Sequence, residues 1–266
     1  PGLEYLMVPR PVSVALGYKS SNKLKGKVAL VTGGDSGIGR AVCYHFGLEG
    51  ATVAFVYVSP AEEIDAEETL EKLIQYKAPH APKPMKIPVT DLGYHDQCNK
   101  VVEDVVKEYG RIDILVNNAA EQNPCPNIED LDPNQVERVF RTNVFSQFFM
   151  VIHGVKHMEE GSSIINCLSR QGYLGHAENV DYASTKGAIV TFTRGLALQL
   201  AKRNIRVNGV APGPTWTPIN ASHDPNKIGK DGPLGRVGQP CEVAPSFVFL
   251  ASQDASYMTG QILHPN

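Results

Sequence analysis

"KVALVTGGDSGIGRAVCYHFGLEG", residues 27–50, decides the fold. Its first six residues form a short apolar run typical of a buried strand, and the run from Ile38 has helical periodicity closed by Gly50. Between them lies the glycine-rich turn Thr32–Gly39. Such a turn, leaving a strand and opening a helix, lets backbone amides approach a pyrophosphate at the positive helix end. The glycines fall at Gly33, Gly37 and Gly39 with an extra Gly34, a departure from the G-x-G-x-x-G spacing. The bland rival, a turn needed only for tight packing, is disfavoured by the strand and helix on either side. Gly33, Asp35, Ser36, Gly37, Ile38 and Gly39 are therefore expected to hold a dinucleotide.

Strand and helix patterns alternate outward from this unit. "TVAFVYV", "PMKIPVT", "IDILVNN", "SSIINCLS", "IRVNGVA" and "GQILHP" read as six further strands. Amphipathic stretches separate them, including one long helix over 133–158 and another over 180–202. The expectation is a single α/β domain of the doubly wound, Rossmann type: a parallel seven-stranded sheet with helices on both faces. Residues 1–26 are Pro-rich and irregular and read as an N-terminal extension packed on the domain, with 27–266 as the dinucleotide-binding catalytic domain.

With 266 residues, 42% hydrophobic content and a net charge of −3, the chain has no basic excess to recruit nucleic acid or an anionic membrane. No apolar run reaches the ~18 residues of a membrane span. The five cysteines are scattered and never in C-x-x-C spacing, which argues against a disulfide framework or a zinc site and for a reducing compartment. His153 and His157, four apart, lack a third ligand at readable spacing and read as a helical surface pair; no metal is expected. A cytoplasmic location fits, or a plastid one if a transit peptide precedes Pro1.

In "NVDYASTKG", residues 179–187, Tyr182 and Lys186 share one helical face. Chance alone supplies that spacing roughly half the time in this composition, so the pair acquires meaning only from its surroundings. Chemically it suits proton delivery. A carbonyl that gains hydride becomes an oxyanion and needs an acid, and a lysine beside a tyrosine should lower a phenol pKa that is otherwise ~10.

From about Lys25 onward the chain resembles the short-chain dehydrogenase/reductase family. The resemblance rests on the glycine turn, "NNAA" (Asn117 to Ala120, where the family has N-N-A-G), "APGPTWT" (211–217) and Asp91-Leu92. It implies that Asn117, Asn118, Ala119, Asp91, Leu92, Pro212, Gly213, Thr215 and Thr217 surround NAD or NADP, with Lys186 on the nicotinamide ribose. It also implies a catalytic set of Asn143, Ser169, Tyr182 and Lys186. Tyr182 would be the acid, Ser169 the donor to the carbonyl oxygen, and Asn143 the holder of a relaying water. Separately, each has a bland reading: Ser169 as an N-cap, Asn143 as a helix-bulge partner, Tyr182 and Lys186 as an amphipathic pair.

Cofactor choice is read at the end of the second strand, where an acid selects NAD. Tyr57 stands in the acid's place, followed by Val58 and Ser59. Ser59 or Arg40 could meet a 2′-phosphate, so NADP(H) is favoured over NAD(H), although acids follow at Glu62 and Glu63.

Within the family, the extension and "DSGIGRAV" resemble a subgroup described as glucose and ribitol dehydrogenase homologues and NADPH-dependent aldehyde reductases. Gln122, Arg170, Tyr173 and Trp216 are the candidate substrate contacts. A guanidinium at 170 could clamp an anionic or polyhydroxylated substrate. The lid around 218–233 reads short for that subgroup and could admit a larger, more rigid substrate, such as a specialised-metabolite ketone or alcohol. The expected activity is NADP(H)-dependent interconversion of an aldehyde or ketone and an alcohol. Rival readings are a non-catalytic NADP-binding protein, or an epimerase or imine reductase on the same frame. The resemblance further implies a homodimer or homotetramer, and "FSQFFMVIHGV" is apolar enough to serve it.

Overall fold

The computed structural model describes residues 2–58, 60–79, 81–221, 223–224, 226–230 and 232–266. The strands are β1 (Val28–Thr32), β2 (Thr52–Val58), β3 (Met85–Val89), β4 (Ile114–Asn117), β5 (Ser163–Cys167), β6 (Arg206–Val210) and β7 (Ile262–Leu263). They form one sheet of order β3-β2-β1-β4-β5-β6-β7, parallel at every pairing. Every residue of β1, β4 and β5 is buried, as strands covered on both faces require.

One face carries α1 (Gly37–Leu48), α2 (Glu63–Tyr76) and α8 (Pro240–Ala251). Phe46, Leu73 and Phe247 pack there against Val31 and Phe55. The other face carries α3 (His95–Tyr109), α5 (Ser146–Gly154) and α7 (Val180–Leu200), where Val102, Met150 and Leu196 meet Leu30 and Leu115. The strand order reverses between β1 and β4, and the crevice at their carboxyl ends is where doubly wound sheets bind ligands.

The long helix expected over 133–158 is interrupted. It runs as α4 (Pro133–Phe140), a π-helical turn over Arg141–Phe145, α5, and a 3-10 turn over Val155–His157. Asp132 caps α4 through the Asn134 amide. The π turn coincides with Asn143, whose side chain holds both backbone groups of Glu121 rather than pointing to solvent. A short helix, α6 (Gln171–Leu174), was not legible in the sequence.

The N-terminal extension threads along the domain. Glu4 is buried: its Oε2 accepts the Gly37 amide at 2.6 Å and its Oε1 the Arg40 guanidinium at 2.8 Å. Further on, Cys241 donates its amide to the Val12 carbonyl, Tyr18 its hydroxyl to Glu49, and Lys23 pairs with Asp254.

Candidate active site

A cavity of 540 Å³ runs from the glycine turn, past the ends of β2 and β4, to the first turn of α7. At its phosphate end Gly33 and Gly37 take positive φ, +63° and +54°, which side chains rarely adopt. A Cβ on Gly39 would lie 1.9 Å from the Gly33 carbonyl oxygen. Thr32 ties this turn to β4, its hydroxyl accepting the amides of Asn118 and Ala119 at 2.9 and 3.1 Å. Asn118 returns two bonds, to the carbonyls of Thr32 and Gly33. The turn is thus a fixed cradle opening on the N-terminus of a twelve-residue helix, and its residues fit a dinucleotide pyrophosphate.

Most of the residues expected around a cofactor line this cavity: Gly33, Asp35, Ser36, Gly37 and Ile38 from the turn, Tyr57 and Val58 from β2, and Leu92, Asn118 and Ala119 beyond them. Pro212, Gly213, Thr215 and Thr217 close the far wall. Ser59 lies outside the described residues. Three of the expected residues lie outside the cavity wall. Gly39 serves the turn's close packing and not the cavity wall. Asn117 turns away, donating to Asn166 Oδ1 at 2.9 Å between β4 and β5. Asp91 holds the Gly93 amide at 2.7 Å and pairs with Arg138, leaving Leu92 to line the cavity.

Arg40 lies outside the cavity wall as well. Its side chain is buried and spent on Glu4, Asp65 and the Asp35 carbonyl, so it cannot turn to a 2′-phosphate. The partner it needed lies in the N-terminal extension, 36 residues away in sequence.

At the other end Ser169, Tyr182 and Lys186 line the cavity together. Ser169 follows β5 by two residues, and Tyr182 sits in the first turn of α7, where the chain returns beside it. The Ser169 and Tyr182 side chains share a hydrogen bond. Lys186 is 1% exposed, donates to the Cys167 carbonyl at 2.9 Å, and lies 5.4 Å from the Tyr182 ring centroid. Asn143 stands behind this group, fully buried, and donates to Thr185 Oγ1 at 3.1 Å.

The electrostatics differ from the expectation that Lys186 lowers the phenol pKa. Burial pushes Tyr182 well above its ordinary value and the Cys167 thiol adds to this, while the Ser169 hydrogen bond acts the other way. Burial also lowers Lys186. Desolvation sets the direction here, and the phenol is held protonated.

Among the substrate candidates, Gln122 and Arg170 line the cavity. Tyr173 does not: it is 42% exposed and meets His264 edge-on, 4.9 Å between ring centroids. Nor does Trp216, which is buried and donates its indole N–H to the Pro9 carbonyl at 2.8 Å, anchoring the lid to the N-terminal extension. His153 faces His95, 6.3 Å between ring centroids, away from His157 on the next turn.

Comparison with known proteins gives the same family that the motifs suggested. Residues 33–266 match the family model described as enoyl-(acyl carrier protein) reductase. The glucose and ribitol dehydrogenase of Daucus carota is 58% identical over 270 residues, covering 100% of this chain and 92% of that protein. The chain belongs to the short-chain dehydrogenase/reductase family. "NADPH-dependent aldehyde reductase 1, chloroplastic" of Arabidopsis thaliana is also 58% identical, covering 100% of this chain and 94% of that one. A solved short-chain dehydrogenase/reductase of Serratia marcescens, a double mutant, superposes with a TM-score of 0.84 at 32% identity, over 91% of this chain and 97% of that one.

This short-chain dehydrogenase/reductase is therefore an oxidoreductase on a Rossmann fold. No helix among its described residues is long and apolar enough to cross a membrane. Several cavity residues of this family member were missed from sequence: Leu3 from the extension, Thr142, Gln171, His176, Asn179, and Ile219 and Ile228 of the lid. Three of them keep a buried oxygen with no hydrogen-bond partner, Thr142 Oγ1, Gln171 Oε1 and Asn179 Oδ1. Asn179 opens the stretch that carries Tyr182 and Lys186, and the others stand in no motif. Only their convergence on one cavity marks them.

Proposed function

We propose that this oxidoreductase interconverts a hydroxylated aldehyde or ketone and the corresponding alcohol with NADP(H), Tyr182 passing the proton. The observation that carries the reading is the hydrogen-bonded Ser169 and Tyr182 pair, beside Lys186, in a cavity continuous with the glycine turn. With a dinucleotide held at that turn and along the ends of β2 and β4, its reduced nicotinamide would supply hydride to the carbonyl carbon.

The chain's own residues do the rest. Ser169 and Tyr182 both direct hydroxyls at the carbonyl oxygen, so they orient it and stabilise the growing oxyanion. Tyr182, kept protonated by burial, donates the proton that completes the alcohol. Lys186 orients the phenol from one turn along α7, and its ammonium favours the tyrosinate left behind. Asn143 positions the Glu121 backbone and Thr185, and with them the polar rear wall through which Tyr182 recovers a proton.

Support for hydroxyl groups on the substrate comes from the polar residues Gln122, Gln171 and His176 of the cavity wall. The names of the carrot and Arabidopsis relatives agree with a polyol or aldehyde substrate and with NADPH. Tyr182→Phe should lower kcat by at least about a thousandfold with carbonyl substrates and leave the NADPH Kd within about twofold. Retained turnover in Tyr182→Phe, tested over aldehydes, aldoses and ketones, would overturn the role of Tyr182.

The same reading proposes self-association. Phe145, Phe148 and Ile152 around α5 and Leu198 on α7 are exposed, Leu198 by 82%, and a second copy of this chain would cover them. A monomeric mass in light scattering would refute a homodimer or homotetramer. Five free thiols suit a reducing compartment, cytoplasm or plastid stroma; exclusive recovery from an oxidising compartment in fractionation would refute that.

A further inference from the structure

No acid stands in the sequence at the end of β2, where Tyr57 and Val58 close the strand. The fold delivers one nonetheless. The turn leading into α2 folds Glu62 back so that its Oε2 accepts the Val58 amide at 2.9 Å. Asp35 stands in the same cavity wall on the glycine turn, 2% exposed, its carboxyl held by Ser36. With Tyr57, Val58 and Leu92, these two carboxylates line one end of the cavity.

The nearby cations are committed elsewhere. Arg40 is bound by Glu4 at 2.8 Å and Asp65 at 3.0 Å. Lys86 lies 5.6 Å from the Tyr57 ring centroid and is paired with Glu63 and Glu67, each at 2.5 Å. Neither reaches the cavity wall. The cations that do line it are Arg138, held by Asp91 and Glu121, and Arg170, Lys186 and Lys227, which follow β5 and β6 in the chain.

We propose that Glu62 and Asp35 form an acid pair that reads the 2′ position of the adenosine ribose, accepting a hydroxyl and opposing a phosphate. This rests on the dinucleotide reading above. In doubly wound folds the acid that binds the ribose hydroxyl extends from the end of the second strand; here it is supplied from the following turn and from the glycine turn. A ribose hydroxyl can donate to either carboxylate, whereas a 2′-phosphate brings close to two negative charges against them.

The opposition depends on pH. Burial, then the charge of Glu62, pushes the Asp35 carboxyl up to about 8, while Ser36 and Arg40 act against them. Cys43, on the α1 side, feels the Asp35 charge. Burial and Asp65 likewise raise Glu62, opposed by its bond from the Val58 amide. Below pH 8 Asp35 keeps its proton and can donate to a phosphate oxygen, so NADP(H) is tolerated. Above it the carboxylate is exposed to the phosphate charge, and selectivity moves to NAD(H).

The test is calorimetric titration of the full chain with AMP and with adenosine 2′,5′-bisphosphate, and with NADH and NADPH, at pH 7.0 and 9.0. Both values lie above the second phosphate ionisation at ~6. The ratio of bisphosphate to AMP Kd should rise roughly fivefold or more between the two pH values, the scale of a partly screened charge contact. Glu62→Gln keeps an oxygen for the Val58 amide and removes the charge; it should lower that ratio at pH 9.0 by a similar factor. Asp35→Asn should flatten the pH dependence. If AMP binds but the ratio is the same at both pH values and in both variants, the acid pair is refuted and the catalytic reading stands. If neither AMP nor NADH binds, the dinucleotide reading fails and the acid pair with it.

Discussion

Asp35→Asn should stabilise the protein at alkaline pH. In the folded chain burial lifts the Asp35 carboxyl to about 8, whereas in the unfolded chain it titrates near its ordinary value of ~3.9. Below pH 4 both states bind the proton. Between pH 4 and pH 8 only the unfolded state ionises, so the contribution of Asp35 falls steadily as pH rises and levels off above 8. At ~1.4 kcal/mol for each tenfold difference in proton affinity, the loss is bounded at about 6 kcal/mol. Asparagine matches the protonated acid in shape and does not titrate. The melting temperatures of the two proteins should therefore coincide near pH 4.5 and diverge to ~10 °C or more in favour of the variant by pH 8.5, at ~2–4 °C per kcal/mol for a domain of this size. Differential scanning calorimetry in steps across pH 4.5–9 measures this directly. All other titrating groups are common to both proteins, so the difference reports Asp35 together with its interaction with Glu62. Parallel curves would refute the claim that this carboxyl is buried as an acid in the dinucleotide turn.

The remaining predictions concern packing at the two ends of the cavity. Gly39→Ala places a Cβ 1.9 Å from the Gly33 oxygen; restoring ordinary contact moves the turn by about an ångström, and NADPH affinity should fall about a hundredfold or more, read by nicotinamide fluorescence titration. An unchanged Kd would show that the turn does not hold the cofactor. Trp216→Phe removes the bond to the Pro9 carbonyl and should cost about 1 kcal/mol of stability, with KM for the carbonyl within about twofold. A tenfold rise in KM would restore Trp216 to the substrate wall.

Trp216 and Arg40 share one reason for being misread. Both were judged against their sequence neighbours, and both spend their polar groups on the N-terminal extension, at Pro9 and Glu4. Sequence-local reasoning succeeds where the constraint is local, as in the four-residue spacing of Tyr182 and Lys186 on one helix. It also succeeded for Ser169, whose place beside Tyr182 rests on a resemblance that carries a whole loop. It failed for Asn117, because β4 residues alternate in direction and the register against β5 decides that this one meets Asn166.

Legible in the sequence were the succession of seven strands along the chain, the parallel sheet, the glycine turn and the four residues that gather around Tyr182. These follow from periodicity, from glycine's backbone freedom and from spacing along single elements. Tertiary structure alone decided the charge at the end of β2 and the polarity of the substrate end. Glu62 reaches Val58 only because α2 begins where it does, and Thr142, Gln171 and Asn179 converge from three separate segments. It also decided the protonation of Tyr182 and Asp35, since the desolvation that raises both pKa values comes from chain segments distant in sequence closing over them.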